Sequence, residues 1–459
     1  MGFGKNILKY QDDIVKDLAQ MVKIPSVCAP AQEGKPFGAE SARALNEILA
    51  IAKNMGFETK NVGNYAGHAE YGTGDEYAAA IAHVDVVPAG DGWNTDPFTL
   101  TKKGNLYYGR GTADDKGAAV TALYCLKALK DASVTGKRKI RVIFGAGEEI
   151  ASDDLKMYFS KEPFPVMAFT PDSDYGICNR EKGILRVKIS AKKNDSAAVR
   201  SFTAGTVVNA VPGRAEAVVA EAPGRMEKLQ AAAKAAKGEF HFEKVANGIQ
   251  IISIGKACHA AQPQEGVNAA ELLSALLGKA LSAEELGSFL AFLNRFIGTE
   301  TSGASMGVQM SDEPSGPLTL NLGLVRVTPS SADMTLDIRY PVTCKGGVIV
   351  DTICKNAAKA GLQAEKVLEN EPLYFPADHP LVHLLQDAYK EVKGVPAELY
   401  ATGGGTYARE IPGRAVAFGP FFADEPDRGL HNANESISMD FFMQHAQICL
   451  EAMYRMMTV

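Results

Sequence analysis

No apolar run in this sequence reaches the ~18 residues that a membrane-spanning helix requires, which argues against a membrane-embedded chain. The opening, MGFGKNILKYQDD, turns polar too early for a secretory signal. Gly2 invites a myristoylation reading, but Asn6 stands where Ser or Thr is required. There is no Cys-x-x-Cys pair either. The seven cysteines, at 28, 125, 178, 258, 344, 354 and 449, are dispersed and odd in number. Neither a disulfide framework nor cysteine-bound zinc is expected, but the reduced thiols of a cytoplasmic protein. Basic clusters are absent: net charge is −6, the pI is near 5.9, and Lys and Arg are scattered. Nucleic acid and anionic membranes are therefore not expected partners.

What is present is a long chain, 459 residues of which 46% are hydrophobic, enough for two to three domains. In the first 180 residues helical and strand patterns alternate. Residues 41–54 and 116–132 carry apolar residues at helical spacing, whereas AAAIAHVDVV at 78–87, IRVIFG at 140–145 and PVMAFTP at 165–171 read as buried strands. The alternation predicts an α/β domain with a mostly parallel, mixed sheet flanked by helices, its chemistry beyond the carboxyl ends of the strands. After residue 181 the texture changes. EKGILRVKISAK alternates with period two, and residues 318–341 read as a hairpin turning at PSSAD. AEAVVAEA (215–222) and MEKLQAAAKAAKG (226–238) read as helical. From 370 the α/β texture returns, with HPLVHLLQDAYKEV and the turn TGGGTYAR. The expected organisation is a catalytic domain formed by 1–181 and 370–459, with an α+β lid domain inserted at 182–369.

Four strand-to-loop junctions carry acids or imidazole. His83 and Asp85 would share one strand face; a His–Asp pair without metal explains them equally well. Asp114, in GRGTADDKG, precedes a helix, where an N-cap is the simpler role. Glu148 and Glu149, in GAGEE, repel each other unless a cation or a shared proton intervenes, though solvated surface glutamates are commoner. Asp172, in TPD, could be a turn residue. Each is ambiguous alone. Together they form a mixed imidazole and carboxylate set that suits Zn, Mn or Co. Two ions sharing one carboxylate would need a further imidazole, and His379, His383, His431 and His445 are all open.

The run His83-Val-Asp-Val-Val-Pro-Ala-Gly-Asp-Gly-Trp93, with GRGTADDKG, GAGEE and TPD, resembles the co-catalytic metallopeptidase family of aminoacylase, carboxypeptidase G and succinyl-diaminopimelate desuccinylase. Within it the PepV-type bacterial dipeptidases are most similar, over motifs from about residue 80 to 435. The resemblance implies that Asp114 bridges two divalent ions, zinc foremost, with His83 and Asp172 on one and Glu149 and His431 on the other. It implies a cis peptide after Asp114, Asp85 orienting His83, and Glu148 as general base toward a water shared by the ions. In the inserted domain His259, within GKACHAAQP, resembles the histidine that stabilises the oxyanion, although Ala260 stands where the family usually has Gly. Asn209 resembles a lid residue facing substrate, or is a turn Asn. Arg339 resembles the arginine that grips the substrate carboxylate, or pairs with Asp337 on its own strand face. Thr406 would hydrogen-bond substrate, or simply occupy a flexible turn.

The resemblance implies a cytoplasmic, monomeric dipeptidase of short unblocked peptides, its enlarged lid taking the place of a partner's. An N-acyl-amino-acid deacylase or desuccinylase would use the same centre. A catalytically inactive binding homologue should have lost Glu148 or a ligand, and none is missing.

Overall fold

The computed structural model describes residues 2–150, 153–236 and 238–459. They pack as two units, one from residues 2–179, 373–400 and 405–459, the other from 180–372 and 401–404.

The first unit is organised on a mixed sheet that has nine strands among the described residues. Its order is Glu58–Val62, Ala66–Tyr71, Lys139–Gly145, Tyr77–His83, Met167–Thr170, Ala415–Phe418, Ile177–Glu181 and Leu373–Tyr374, with Leu399–Thr402 paired to Ile177–Glu181. The four strands from Lys139–Gly145 to Ala415–Phe418 run parallel. Outside them the pairing is antiparallel toward Glu58–Val62 and between Ala415–Phe418 and Ile177–Glu181. Tyr77–His83 reads YAAAIAH and is buried at every position, as a central strand must be. Its alanines let the helices Lys116–Asp131 and Met439–Thr458 pack close.

Register brings the chemistry to one edge. His83 lies opposite Gly145, so these two strands end level and release their loops side by side. The strand stops at His83 and does not run on through 87 as the sequence suggested. Val84 donates its N–H to Gly145 O at 2.9 Å and Val86 to Ser26 O at 3.1 Å, which turns the chain out of the sheet. Asp85 therefore lies in a loop, and the shared strand face expected for it and His83 does not exist.

The second unit is α+β. Its eight strands, among the described residues, run in the order Glu239–Val245, Gly248–Ile254, Arg214–Val219, Val199–Ala204, Thr319–Val327, Ala332–Tyr340, Gly183–Ala191 and Gln363–Asn370, every neighbour antiparallel. The hairpin between Thr319–Val327 and Ala332–Tyr340 closes through Thr328 N–H to Ser331 O at 2.8 Å. The helices Ala269–Ala280 and Ala283–Phe296 pack on one another. One expectation fails here: AEAVVAEA is not helical but lies largely within the strand Arg214–Val219. Ala215, Ala217 and Val219 are buried while Glu216 and Val218 are less so. Cross-strand partners on both sides override the helical preference of alanine. The lysine-bearing segment that follows is the helix Arg225–Lys234, as its composition predicted.

Candidate metal centre and active site

Three loops of the first unit and the segment at 431 converge on Asp114. Its Oδ1 lies 2.9 Å from His83 Nε2, and its Oδ2 lies 2.9 Å from His431 Nε2. One carboxylate thus faces two imidazoles, each with a different oxygen. Asp172 Oδ2 is 3.9 Å from His83 Nε2, and Glu149 Oε2 is 3.4 Å from His431 Nε2. The structure therefore gathers His83, Asp114, Glu149, Asp172 and His431, with Glu148 beside them. His379, His383 and His445 are elsewhere: His379 caps the helix Pro380–Lys393, His383 lies on it, and buried His445 meets Tyr175 Oη.

The tautomer of His83 follows from its neighbours. Nδ1 is 3.1 Å from the Asp85 backbone oxygen, which can only accept, so Nδ1 carries a proton; Nε2, 2.9 Å from Asp114 Oδ1, shares a second proton with that carboxylate and offers its lone pair only where a cation replaces it. The Asp85 carboxylate is farther from the ring, at 3.5 Å, and serves mainly another purpose. Its Oδ1 accepts Glu148 N–H at 3.2 Å and its Oδ2 accepts Glu149 N–H at 3.1 Å. The Cys28 thiol donates to Oδ2 at 3.4 Å. Asp85 thus meets the His83 ring through its backbone oxygen and binds the N–H groups of the two glutamates through its side chain.

Helix capping does not account for Asp114 or Asp115. The helix Lys116–Asp131 has Asp115 at its N-cap position without a side-chain capping bond. Asp115 Oδ2 instead accepts His83 N–H at 3.1 Å, and the Asp114–Asp115 peptide is cis. Asp154 supports the next loop. Its Oδ2 accepts Ala146 N–H at 2.8 Å and Gly147 N–H at 2.9 Å, and also the Tyr407 hydroxyl. Sequence reasoning missed Asp154, Tyr407 and Asp115. Asp115 stood inside a quoted motif; Asp154 and Tyr407 carry no local signal, since they matter only through the fold.

The site holds a strong excess of negative potential. Burial pushes the Glu148 carboxyl up to about 8; His83 opposes this, while Glu149 and Asp114 add to it. Burial raises Asp172 well above the usual carboxylate range, helped by Asp114 and Asp115. Burial alone would lower His83, but hydrogen bonds with Asp114 and Asp85 carry it well above the usual value. Hydrogen bonds to Asp114 and Glu149 raise His431 to about 10. Glu148, Asp172 and both imidazoles are driven to hold protons, whereas burial of Asp114 is outweighed by hydrogen bonds from His431 and His83 that hold its carboxyl well below the usual range, a contrast expected of crowded acids that call for cations. Glu149 Oε1 is also buried without a hydrogen-bond partner. Ligand atoms of His83, Asp114 and Glu149 lie within 4.8 Å of one another, as do those of His83, Glu148 and Asp172. Two imidazoles and carboxylates, with no thiolate, fit Zn, Mn or Co.

In the second unit Asn209 and His259 sit on adjoining segments: Asn209 O accepts Ala260 N–H at 3.0 Å, and His259 Nδ1 accepts Ala261 N–H at 3.3 Å. Arg339 is 3% exposed and is not a surface residue. Its Nε and Nη2 donate to the two oxygens of Asp337 at 2.6 and 3.2 Å, and Nη1 donates to Gly403 O at 2.7 Å. The pairing with Asp337 that competed with a substrate role is thus present, in a buried form. Thr406, in the first unit, accepts Ala408 N–H at 3.2 Å and caps the short helix Tyr407–Glu410, so its turn is ordered rather than flexible.

Comparison with known proteins agrees with this arrangement. "Putative dipeptidase YtjP" of Bacillus subtilis is 36% identical over 470 aligned positions, covering 99% of this chain and 100% of the relative. Among solved structures, an M20-family metallo-carboxypeptidase of Sulfolobus solfataricus shares the fold, with a TM-score of 0.60 at 17% identity over 97% of this chain and 99% of the other. Human carnosine dipeptidase 1 does so with a TM-score of 0.58 at 16% identity over 99% and 98%. Residues 79–455 match the sequence profile of peptidase family M20/M25/M40, a span that takes in every one of the converging acids and imidazoles. By sequence, fold and the side chains its loops bring together, the chain is a member of peptidase family M20/M25/M40.

Proposed function

We propose that this protein is a dinuclear metal-dependent dipeptidase that hydrolyses short unblocked peptides. The observation that carries the reading is Asp114, whose two oxygens each face a different histidine at 2.9 Å. His83, Asp172 and Asp114 would hold one divalent ion and His431, Glu149 and Asp114 the other, zinc foremost, with Mn or Co able to use the same donors. Such ions, when bound, polarise the scissile carbonyl and make water a stronger acid.

The protein's own groups do the rest. Glu148, half-buried and with its carboxyl pushed toward neutral pH, takes the proton of the attacking water and returns it to the leaving amine. Asp85 fixes the Glu148 and Glu149 backbone, which separates the proton shuttle from the ligand beside it. His259 donates to the tetrahedral oxyanion, with Asn209 on the adjoining segment. Arg339 grips the substrate carboxylate with the N–H groups that Asp337 and Gly403 leave over, three of its five being taken. The Thr406 turn supplies backbone hydrogen bonds to the substrate. The second unit acts as the lid, and the enzyme works as a cytoplasmic monomer, which sedimentation at micromolar concentration tests directly.

Glu148→Gln should lower kcat on Ala-Ala-type dipeptides by about 10²–10⁴-fold while elemental analysis still finds two ions per chain. Loss of an ion would instead make Glu148 a ligand with His83 and Asp172. A parallel panel separates the substrate classes: release of amino acids from dipeptides but not from N-acetyl or N-succinyl amino acids is expected. The reverse preference would assign a deacylase.

A further inference from the structure

A buried ion pair lies beside the centre and belongs to neither set of ligands. Arg110 is 1% exposed and Glu435 0%, and Arg110 Nη1 donates to Glu435 Oε2 at 2.6 Å. The carboxylate is fully engaged. Oε2 also accepts Gly111 N–H at 3.0 Å, and Oε1 accepts the N–H groups of Ala113 at 2.8 Å and Asp114 at 3.1 Å. On the other side, Arg110 Nη2 donates to the carbonyls of Pro88 and Ala89, each at 3.2 Å, and of Asn432 at 3.0 Å. The guanidinium lies 5.4 Å from the centre of the Trp93 ring.

A buried pair of this kind is a poor source of stability, because an apolar replacement of similar shape often does as well. Its connections suggest a different role. It ties together the loop that follows His83, the loop that carries Asp114 and the loop that carries His431. The two halves of the centre depend on it unequally. His83 ends a central strand and its side chain is 1% exposed, so the sheet itself fixes it. His431 has no such support. Its side chain is 57% exposed, and its backbone is left-handed at φ 58°, as is that of Asn434 at 64°. Within the loop, Asn432 is held by Arg110, and Glu435 is held at both ends, its own carbonyl accepting Gly109 N–H at 3.0 Å.

We infer that Arg110 and Glu435 are positioning residues for the ion on the His431 side. The pair holds the backbone of Asp114 in register with the loop bearing His431, and its loss weakens binding of the ion at the Asp114, Glu149 and His431 position while the Asp114, His83 and Asp172 position keeps its ion. This rests on the two-ion reading above.

The test is Zn²⁺ binding by the full-length chain, followed by calorimetric titration of stripped protein and by elemental analysis after dialysis against graded chelator. Wild type should bind two ions. In Glu435→Gln the amide NH₂ must face backbone N–H groups or Arg110, so one ion should bind about 10–100-fold more weakly, the usual effect of removing a ligand's support. The other ion should be unchanged. His431→Ala should lose the same ion, and adding Glu435→Gln to it should cost little more, because both act on one site. Circular dichroism and the thermal midpoint of the stripped proteins check that the variants fold. Should Glu435→Gln fail that check, Arg110→Lys, which keeps the charge but loses the fork to Asn432, carries the same expectation. Equal weakening of both ions, no weakening, or full additivity with His431→Ala overturns the inference. A wild type that binds no pair of ions overturns the metal centre itself, and this inference with it.

Discussion

Asp85 spends its carboxylate on backbone N–H groups two loops away, not chiefly on the imidazole two residues before it. That division of labour could not be read from the chain, because it depends on where the strand stops. The convergence of the proposed ligands had a trace in the sequence: acids and an imidazole at strand ends form a pattern even when each alone has a simpler explanation. The choice of His431 among four histidines had none, because its partners lie hundreds of residues earlier and only the fold joins them. Arg339 and Thr406 show the converse. Their local alternatives, a pair with Asp337 and a helix cap, are present and take up part of each side chain. His68 meets Tyr158 Oη at 2.7 Å, and burial, with Arg141 nearby, lowers it from 6.5 to about 4. The unfolded chain therefore takes up a proton below pH 6.5 that the folded one refuses until about 4. Stability is complete above 6.5 and falls as the pH drops through that window. Urea midpoints at pH 5 and 7.5, both in chelator to remove metal effects, should differ less in His68→Gln than in wild type. An unchanged difference would count against this account.

The GAGEE segment is where a whole element, not one side chain, is constrained. Gly145 ends its strand against Tyr407 and Asp154: a Cβ there would lie 1.9 Å from Tyr407 Oη and 2.5 Å from Asp154 Oδ2. Those two groups hold the loop that presents Glu148 and Glu149. Gly147 is similarly pressed, with the Phe37 ring 2.7 Å from an added Cβ. Gly145→Ala should therefore lower kcat by at least tenfold and cost about 1–3 kcal/mol of stability, as overpacking does. Kinetics and thermal unfolding read the two effects separately, and an unimpaired kcat would show that the loop tolerates the shift. At the level of elements the sequence was a good guide where burial period and composition agreed, as in Lys116–Asp131 and the hairpin at 319–340. It misled at 215–222, where alanines suggested a helix but neighbouring strands on both sides imposed the pleat.

At the scale of the molecule, all five proposed ligands lie in one of the two units, the one formed by residues 2–179, 373–400 and 405–459. Metal binding should then stabilise that unit by mass action and leave the other untouched. Chelation should lower the midpoint of one thermal transition and not the other, each followed by hydrogen exchange of peptides assigned to its unit. A shift of both by the same amount would mean that the units melt together. The chain leaves the first unit after residue 179 and re-enters it at 373, near the changes of texture at 181 and 370. The order of strands has no such sign. Nothing local says that Ala415–Phe418 slots between Met167–Thr170 and Ile177–Glu181.

That slot has a consequence for how the molecule comes into being. A ribosome that has reached residue 400 has made most of the sheet but not the strand that fills its interior, nor His431. Until residues 415–418 are made, the nascent chain carries an open edge where two strands await a third, and it still lacks the proposed ligand His431. On the two-ion reading such a chain lacks one of its proposed ligands, and its unfinished sheet leaves the backbone groups of Met167–Thr170 and Ile177–Glu181 open to wrong pairing.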